Sequence, residues 1–245
     1  MKTNTQLKDE ALAALKGNWG NAVLAVLIYF LLALIVSGPT VYTQVQLQEY
    51  MNENVGSYSS IRNVTSLILD PAYQTIQHRN QASSSFTTIF QILVLIPFGL
   101  GLANAFRRLL LTGENAILGN SAKIALDKYW HKVWGMLLMC IFTFLWSLLL
   151  VIPGIIKMFS YAMTKYILEE YPELTASEAI DRSRAMMRGH KFDLFWLYLS
   201  FIGWGILCLF TAGIGYLWLV PYMETAEAAF YEDVKADYAL NGGLI

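Results

Sequence analysis

Charge is what this sequence lacks. No Asp, Glu, Lys or Arg occurs from Gly17 to Gln48, from Asn80 to Phe106, from Val133 to Ile156, or from Leu194 to Met223. Only 14% of the residues are charged and 56% are hydrophobic, against about 25% and 45–50% in an ordinary soluble domain. A helix on the surface of a soluble protein keeps a polar face at 3.6-residue spacing. These windows have none, which argues against a water-soluble fold. Roughly 20 apolar residues cross about 30 Å of hydrocarbon, and all four windows are long enough, the first two with some polar flank.

Other absences narrow the function. The two cysteines, Cys140 and Cys208, lie inside apolar windows, so neither a disulfide framework nor a metal site is expected. The net charge of −1 gives no pull toward nucleic acid. There is no GxSxG elbow, HExxH pair or Walker lysine loop, so nothing marks a conventional enzyme, and no cofactor is expected. Residues 1–16 read as a polar helix and the first apolar stretch outlasts a signal core, so no cleavable signal is expected. Asn63-Val64-Thr65 matches a glycosylation sequon, a short and common pattern that carries little weight.

What is present sets a topology. Short cytoplasmic loops carry the excess of Lys and Arg. If each window crosses once with the N-terminus inside, nine basic residues fall inside and eight outside, which is no bias. If the chain instead turns back near Val151-Ile152-Pro153-Gly154 and again at Thr211–Gly215, the basic stretch Lys165–Lys191 moves inside. The tally becomes fourteen against two, with Lys157 in or near the membrane. Pro and Gly are the residues expected at such breaks. The expectation is therefore an all-α, polytopic bundle with about six crossings, both ends cytoplasmic, forming one membrane domain over residues 1–245. The return Ile155–Leu168 is short and carries Lys157, and Glu224 and Glu227 fall in the last segment.

Local patterns fill in the rest. Leu7, Ala11 and Leu15 share one face of a helix over 4–16, with Gly17 as its stop. Residues 39–85, rich in Gln, Asn and Ser, read as a polar extracytoplasmic loop, in part helical. Residues 175–189 read as an amphipathic helix on the cytoplasmic membrane surface, opened by the capping box Thr175-Ala-Ser-Glu178. A weak threefold repeat emerges. A short polar helix enters an apolar segment through Gly17-Asn18-Trp19, Lys128-Tyr129-Trp130 and Gly189-His190-Lys191-Phe192. The returning half carries Ile96-Pro97, Ile152-Pro153 or Val220-Pro221.

Three groups of residues could bind something. Glu224 and Glu227 lie on one helix face, suited to a basic partner or a cation, and buried carboxylates in a bilayer are usually functional. At the inner interface that cost largely vanishes. Arg182, Arg184, Arg188, His190 and Lys191, with Arg107 and Arg108 on the same side, make a basic surface for anionic lipid headgroups or a phosphate-bearing ligand, or else only fix the topology. Lys157 and Asn104 either line a polar cavity or, for Lys157, reach the interface. Together they suggest an inward-opening cavity lined by Lys157, Glu224 and Glu227 and rimmed by Arg184 and Arg188.

The runs Leu150-Val-Ile-Pro-Gly-Ile-Ile-Lys157, Ser177-Glu-Ala-Ile180 and Ser183-Arg-Ala-Met-Met-Arg-Gly-His-Lys191 resemble a bacterial family, as do Gly213-Ile-Gly215, Leu217-Trp-Leu-Val-Pro-Tyr222 and Ala14-Leu-Lys-Gly-Asn-Trp19. The resemblance is to domain-of-unknown-function family 975, integral membrane proteins with no assigned activity, and covers nearly all of the chain except 39–85. It implies a bacterial cytoplasmic membrane. The Pro-Gly break and charged helix are also similar to the membrane portion of some glycerophosphodiester phosphodiesterases, whose catalytic barrel has no counterpart here. The expected role is non-enzymatic handling of a lipid or small molecule, or membership of a membrane assembly. The partners expected are membrane lipids, with a membrane-protein partner as a further option. The alternatives are an intramembrane lipid enzyme using a carboxylate with His190, and a protein-binding scaffold.

Overall fold

The computed structural model describes residues 1–55 and 69–242, apart from the side chains of residues 54, 55 and 149. The sequon and Arg62 lie outside them. Every regular element among the described residues is helical, as the charge-free windows require. The chain, expected to be one domain, divides into two compact units: residues 1–29 with 96–245, and residues 30–95.

The first helix, α1, spans Asn4–Leu15 and opens on a capping box. The Gln6 N–H donates to the Thr3 hydroxyl at 3.3 Å, and the Thr3 N–H donates to the Gln6 side chain at 2.8 Å. Two N–H groups without intrahelical partners are thereby satisfied. Leu7, Ala11 and Leu15 are buried, as their spacing predicts. Gly17 takes a left-handed φ of +82°, turning the chain into α2, Trp19–Val55.

The second unit corrects the expected loop. Residues 39–55 continue α2, and 71–85 lie in α3, Pro71–Phe90. Their polar residues form a zipper between these two helices. The Thr40 and Thr87 hydroxyls meet at 2.7 Å, the Thr43 and Ser83 hydroxyls at 3.0 Å, and Thr43 donates to Asn80 Oδ1 at 3.1 Å. Composition reads such residues as loop, whereas hydroxyl and amide side chains also bond helix to helix within a membrane. Asp70 caps α3 by accepting the Ala72 N–H at 2.7 Å, with Pro71 at the first helical position. Gln91–Leu95 then wind as a π-helical turn ahead of Pro97, which has no N–H for the carbonyl one turn back.

The first unit holds the remaining helices: α4 Ile96–Thr112, α5 Ile117–Leu126, α6 Tyr129–Leu149, α7 Val151–Tyr161, α8 Thr164–Glu170, α9 Ala176–Met186, α10 Lys191–Leu199, α11 Ile202–Phe210 and α12 Tyr216–Leu240. Both expected breaks are real helix ends. Leu150 is extended and interrupts α6 from α7. A Cβ on Gly154 would stand 2.3 Å from Ser147 Oγ, so the two arms touch. Ala212 and Gly213 take positive φ between α11 and α12, and the Tyr216 hydroxyl donates back to the Gly205 carbonyl at 3.3 Å. The three junctions of the sequence repeat share a left-handed residue, Gly17, Lys128 (φ 43°) and Gly189 (φ 97°), each just ahead of an apolar helix.

Among the described residues four helical stretches are long and apolar enough to cross a membrane: Trp19–Glu53, Pro71–Thr112, Tyr129–Leu148 and Lys191–Phe210. Their outward residues are large and bare, with Leu148 74%, Phe192 75% and Phe210 84% exposed. Soluble monomers rarely leave contiguous apolar surface of this kind uncovered. The returning α7, at 11 residues, is only about 16 Å long and is too short to cross alone. The capping box of α9 is present as expected. Its apolar face, though, is buried within the protein, where Ser183 donates to the Ser160 carbonyl of α7 at 3.0 Å.

Candidate functional site

The charged residues missing from the apolar windows gather in one place. They come from the helices of the three proline-bearing returns: α4, α8 and α12. Arg107 of α4 donates through one nitrogen to Glu170 of α8 at 2.7 Å and through Nε to Glu232 of α12 at 2.5 Å. Glu170 also accepts from the Tyr231 hydroxyl at 2.7 Å and from Lys235. Beside this tier, Glu169 pairs with Arg108 at 3.1 Å and with Lys132 at 2.5 Å. Lys132 is only 1% exposed and also donates to the Ile124 carbonyl.

A second tier holds the two carboxylates that the sequence singles out. Lys165 of α8 stands 3.0 Å from Glu224 and 3.1 Å from Glu227. The Tyr198 side chain of α10 lies near Glu227. Asn104 of α4 fastens the tier from behind, its amide donating to the Lys165 carbonyl at 3.0 Å and to that of Leu100 at 3.0 Å. Between the tiers, Tyr166 and Tyr231 stack with ring centroids 4.8 Å apart. Arg107 covers the ring of Tyr231 at 4.9 Å and Lys165 that of Tyr166 at 5.0 Å. Cations over aromatic faces are attracted by the ring quadrupole.

Charge balances over the whole cluster and not within each part. Arg107 and Lys235 neutralise Glu170 and Glu232. Glu169 meets two cations. Lys165 alone meets both Glu224 and Glu227, so that tier has room for a proton or one more positive charge. Buried charges survive only when paired and hydrogen-bonded. Three buried oxygens nearby, Asn104 Oδ1, Thr164 Oγ1 and the Tyr166 hydroxyl, have no hydrogen-bond partner among the described residues. At the tier's margin, burial raises the pKa of Glu170, but the hydrogen bonds from Lys235 and Tyr231 and the charge of Arg107 outweigh it and hold the carboxyl below its usual range.

The residues expected to line one cavity are separated. Glu224 and Glu227 come together through Lys165 rather than Lys157. Lys157 lies with its ammonium 4.3 Å from the centroid of Trp146 and 5.9 Å from that of Tyr161. Arg184 pairs with Asp181 at 3.0 Å, and Arg188 is exposed on the following turn. His190 lies between Asp193 at 3.3 Å and Asp237 at 3.2 Å, so both ring nitrogens face carboxylates. Two surface recesses, of 440 and 460 Å³, are lined almost wholly by apolar side chains, and neither includes Glu224 or Glu227. Among the described residues no group of three or more His, Cys, Asp and Glu is placed to hold a metal ion.

Lys165, Glu169, Glu170, Tyr198, Tyr231, Glu232 and Lys235 were not marked as site residues by the sequence. One signal was available. Glu224, Glu227, Tyr231 and Lys235 follow i, i+3, i+7, i+11 spacing, one face of one helix, so the stripe extends beyond the two glutamates.

No curated protein and no solved structure matches the chain. The chain belongs to the family described as "Protein of unknown function (DUF975)", which matches residues 1–238.

Proposed function

We propose that this is a non-enzymatic, multi-pass membrane protein that handles a small solute or lipid, with Lys165, Glu224 and Glu227 as a proton- or cation-exchanging centre. One observation carries the reading: a single ammonium stands between one buried carboxylate, Glu227, and one half-buried carboxylate, Glu224. Lys165 supplies one positive charge to two carboxylates, which leaves the pair able to take up a proton or a cation. Gaining and losing that charge gives the centre two states, the requirement for coupling an ion to a conformational change. We place the chain in a bacterial cytoplasmic membrane with both ends on the cytoplasmic side. Six crossings or re-entrant turns are supported by the basic-residue tally and by the helix ends at Leu150 and Thr211–Gly215. His190, held between two aspartates, favours this reading over a lipid enzyme that uses its imidazole as base.

The test is proton flux into proteoliposomes holding a trapped pH-sensitive dye, with the voltage clamped by potassium and valinomycin. The wild-type chain is expected to conduct protons above protein-free vesicles, and Glu227→Gln and Glu224→Gln to lower that flux at least tenfold. Wild-type flux equal to that of empty vesicles, or unchanged flux in both variants, refutes the assignment.

A further inference from the structure

Lys157 follows Ile155 and Ile156, which line an apolar recess with Lys191, and Arg184 follows Ser183, which bonds Ser160 on the same helix as Lys157. We propose that these three cations form a binding site for an anionic phospholipid. Its headgroup lies on the three cations and an acyl chain in the recess. The recess has a volume of 440 Å³ and is lined by Ile155, Ile156, Phe159, Phe192 and Phe195, with Lys191 its only charged lining residue. It sits between α7 and the start of α10, where the apolar stretch Lys191–Phe210 begins. A lipid headgroup meets a membrane helix at such an end.

The cations lack the anions that would explain them. Arg184 and Lys191 are close enough to act electrostatically on Lys157, and like charges gathered in one place repel. Arg184 is matched by Asp181 at 3.0 Å. Among the described residues neither Lys157 nor Lys191 pairs with a carboxylate. Trp146 and Tyr161 face Lys157, but an aromatic ring brings no net negative charge. Asp193, on the first turn of α10, is turned to His190 at 3.3 Å. An excess of two positive charges therefore borders a greasy recess. A phosphodiester headgroup neutralises the first and an acyl chain fills the second, whereas free phosphate satisfies only the charges. The adjoining surface, with Phe192 75% and Trp196 55% exposed, is continuous with the apolar helix that lipid would cover. This site shares no residue with the Lys165–Glu224–Glu227 centre, and either can fail while the other stands.

The experiment is native mass spectrometry of the full chain in a neutral detergent. Dioleoyl phosphatidylglycerol, dioleoyl phosphatidylcholine or inorganic phosphate is added in turn. Phosphatidylglycerol is expected to bind at least tenfold more tightly than phosphatidylcholine. Lys157→Gln with Lys191→Gln should weaken phosphatidylglycerol about 30-fold, at the contribution typical of a basic residue near an anionic lipid. Lys157→Arg with Lys191→Arg should keep it, and Ile156→Trp should weaken the lipid by filling the recess. Equal affinity for the two lipids, or unchanged phosphatidylglycerol affinity in the double Gln variant, overturns the proposal. So does inorganic phosphate binding as tightly as phosphatidylglycerol, which would make this a plain anion site. If the double Gln variant does not fold, Arg184→Gln, altering an exposed pair, replaces it. A loss of about fivefold is then expected, and no loss refutes the site.

Discussion

Removing Arg107 should be among the most damaging single changes outside the apolar core. Its side chain is 11% exposed and reaches Glu170 at 2.7 Å and Glu232 at 2.5 Å, so one guanidinium ties α4 to both α8 and α12. Arg107→Met leaves Glu170 with Lys235 and Tyr231 and takes from Glu232 its cation. Breaking a buried pair on one side costs about 3–5 kcal/mol, because the remaining charge stays desolvated. For a chain of this size about 1 kcal/mol moves Tm by roughly 2–4 °C, so a fall of about 10 °C is expected, read as thermal unfolding in detergent. Arg107→Lys keeps the charge but cannot span both carboxylates, and should lie between the two. Adding Glu232→Gln to Arg107→Met should recover part of the loss, since a neutral amide is cheaper to bury than an unpaired carboxylate. The reasoning fails if Arg107→Met stays within about 2 °C of wild type, or if Glu232→Gln lowers Tm further by its own full cost.

Other features allow equally direct checks. A Cβ on Gly101 would stand 2.3 Å from the Ser121 carbonyl, a backbone atom that cannot swing aside; Gly101→Ala should cost about 1–3 kcal/mol, and an unchanged Tm would mean that α4 and α5 pack more loosely. The Glu178 carboxyl is held below its ordinary range by bonds from the Thr175 hydroxyl and N–H. Its stabilisation is present above the unfolded pKa and lost as pH falls through the lower folded value. Amide exchange at the start of α9 should therefore rise in acid, and Glu178→Gln, which keeps the capping box, should abolish that rise. The Tyr166 hydroxyl is buried without a partner, so Tyr166→Phe should leave Tm unchanged or slightly higher. A clear fall would reveal a bound water or ion at that oxygen.

Much of the fold was legible because the bilayer imposes a coarse rule. A long stretch without charge has few choices but a helix in lipid, and the Pro/Gly breaks at Val151–Gly154 and Thr211–Gly215 are helix ends. The capping box at Thr175 and the stop at Gly17 were legible because caps are local. Over 39–55 and 71–85 the balance of loop and helix was not legible, because Thr, Ser and Asn look alike whether they face water or bond one helix to another, as Thr43 and Ser83 do.

For the candidate site, the sequence by itself determined that Glu224 and Glu227 share a face and that charge is rare enough for each exception to matter. Only the tertiary structure decided that their partner is Lys165 and that Lys157 lies instead against Trp146 and Tyr161. The physical reason is distance along the chain. Ion pairing is set by which helix ends meet, and Arg107, Glu170 and Glu232 meet across separations that no spacing rule within one helix can reach.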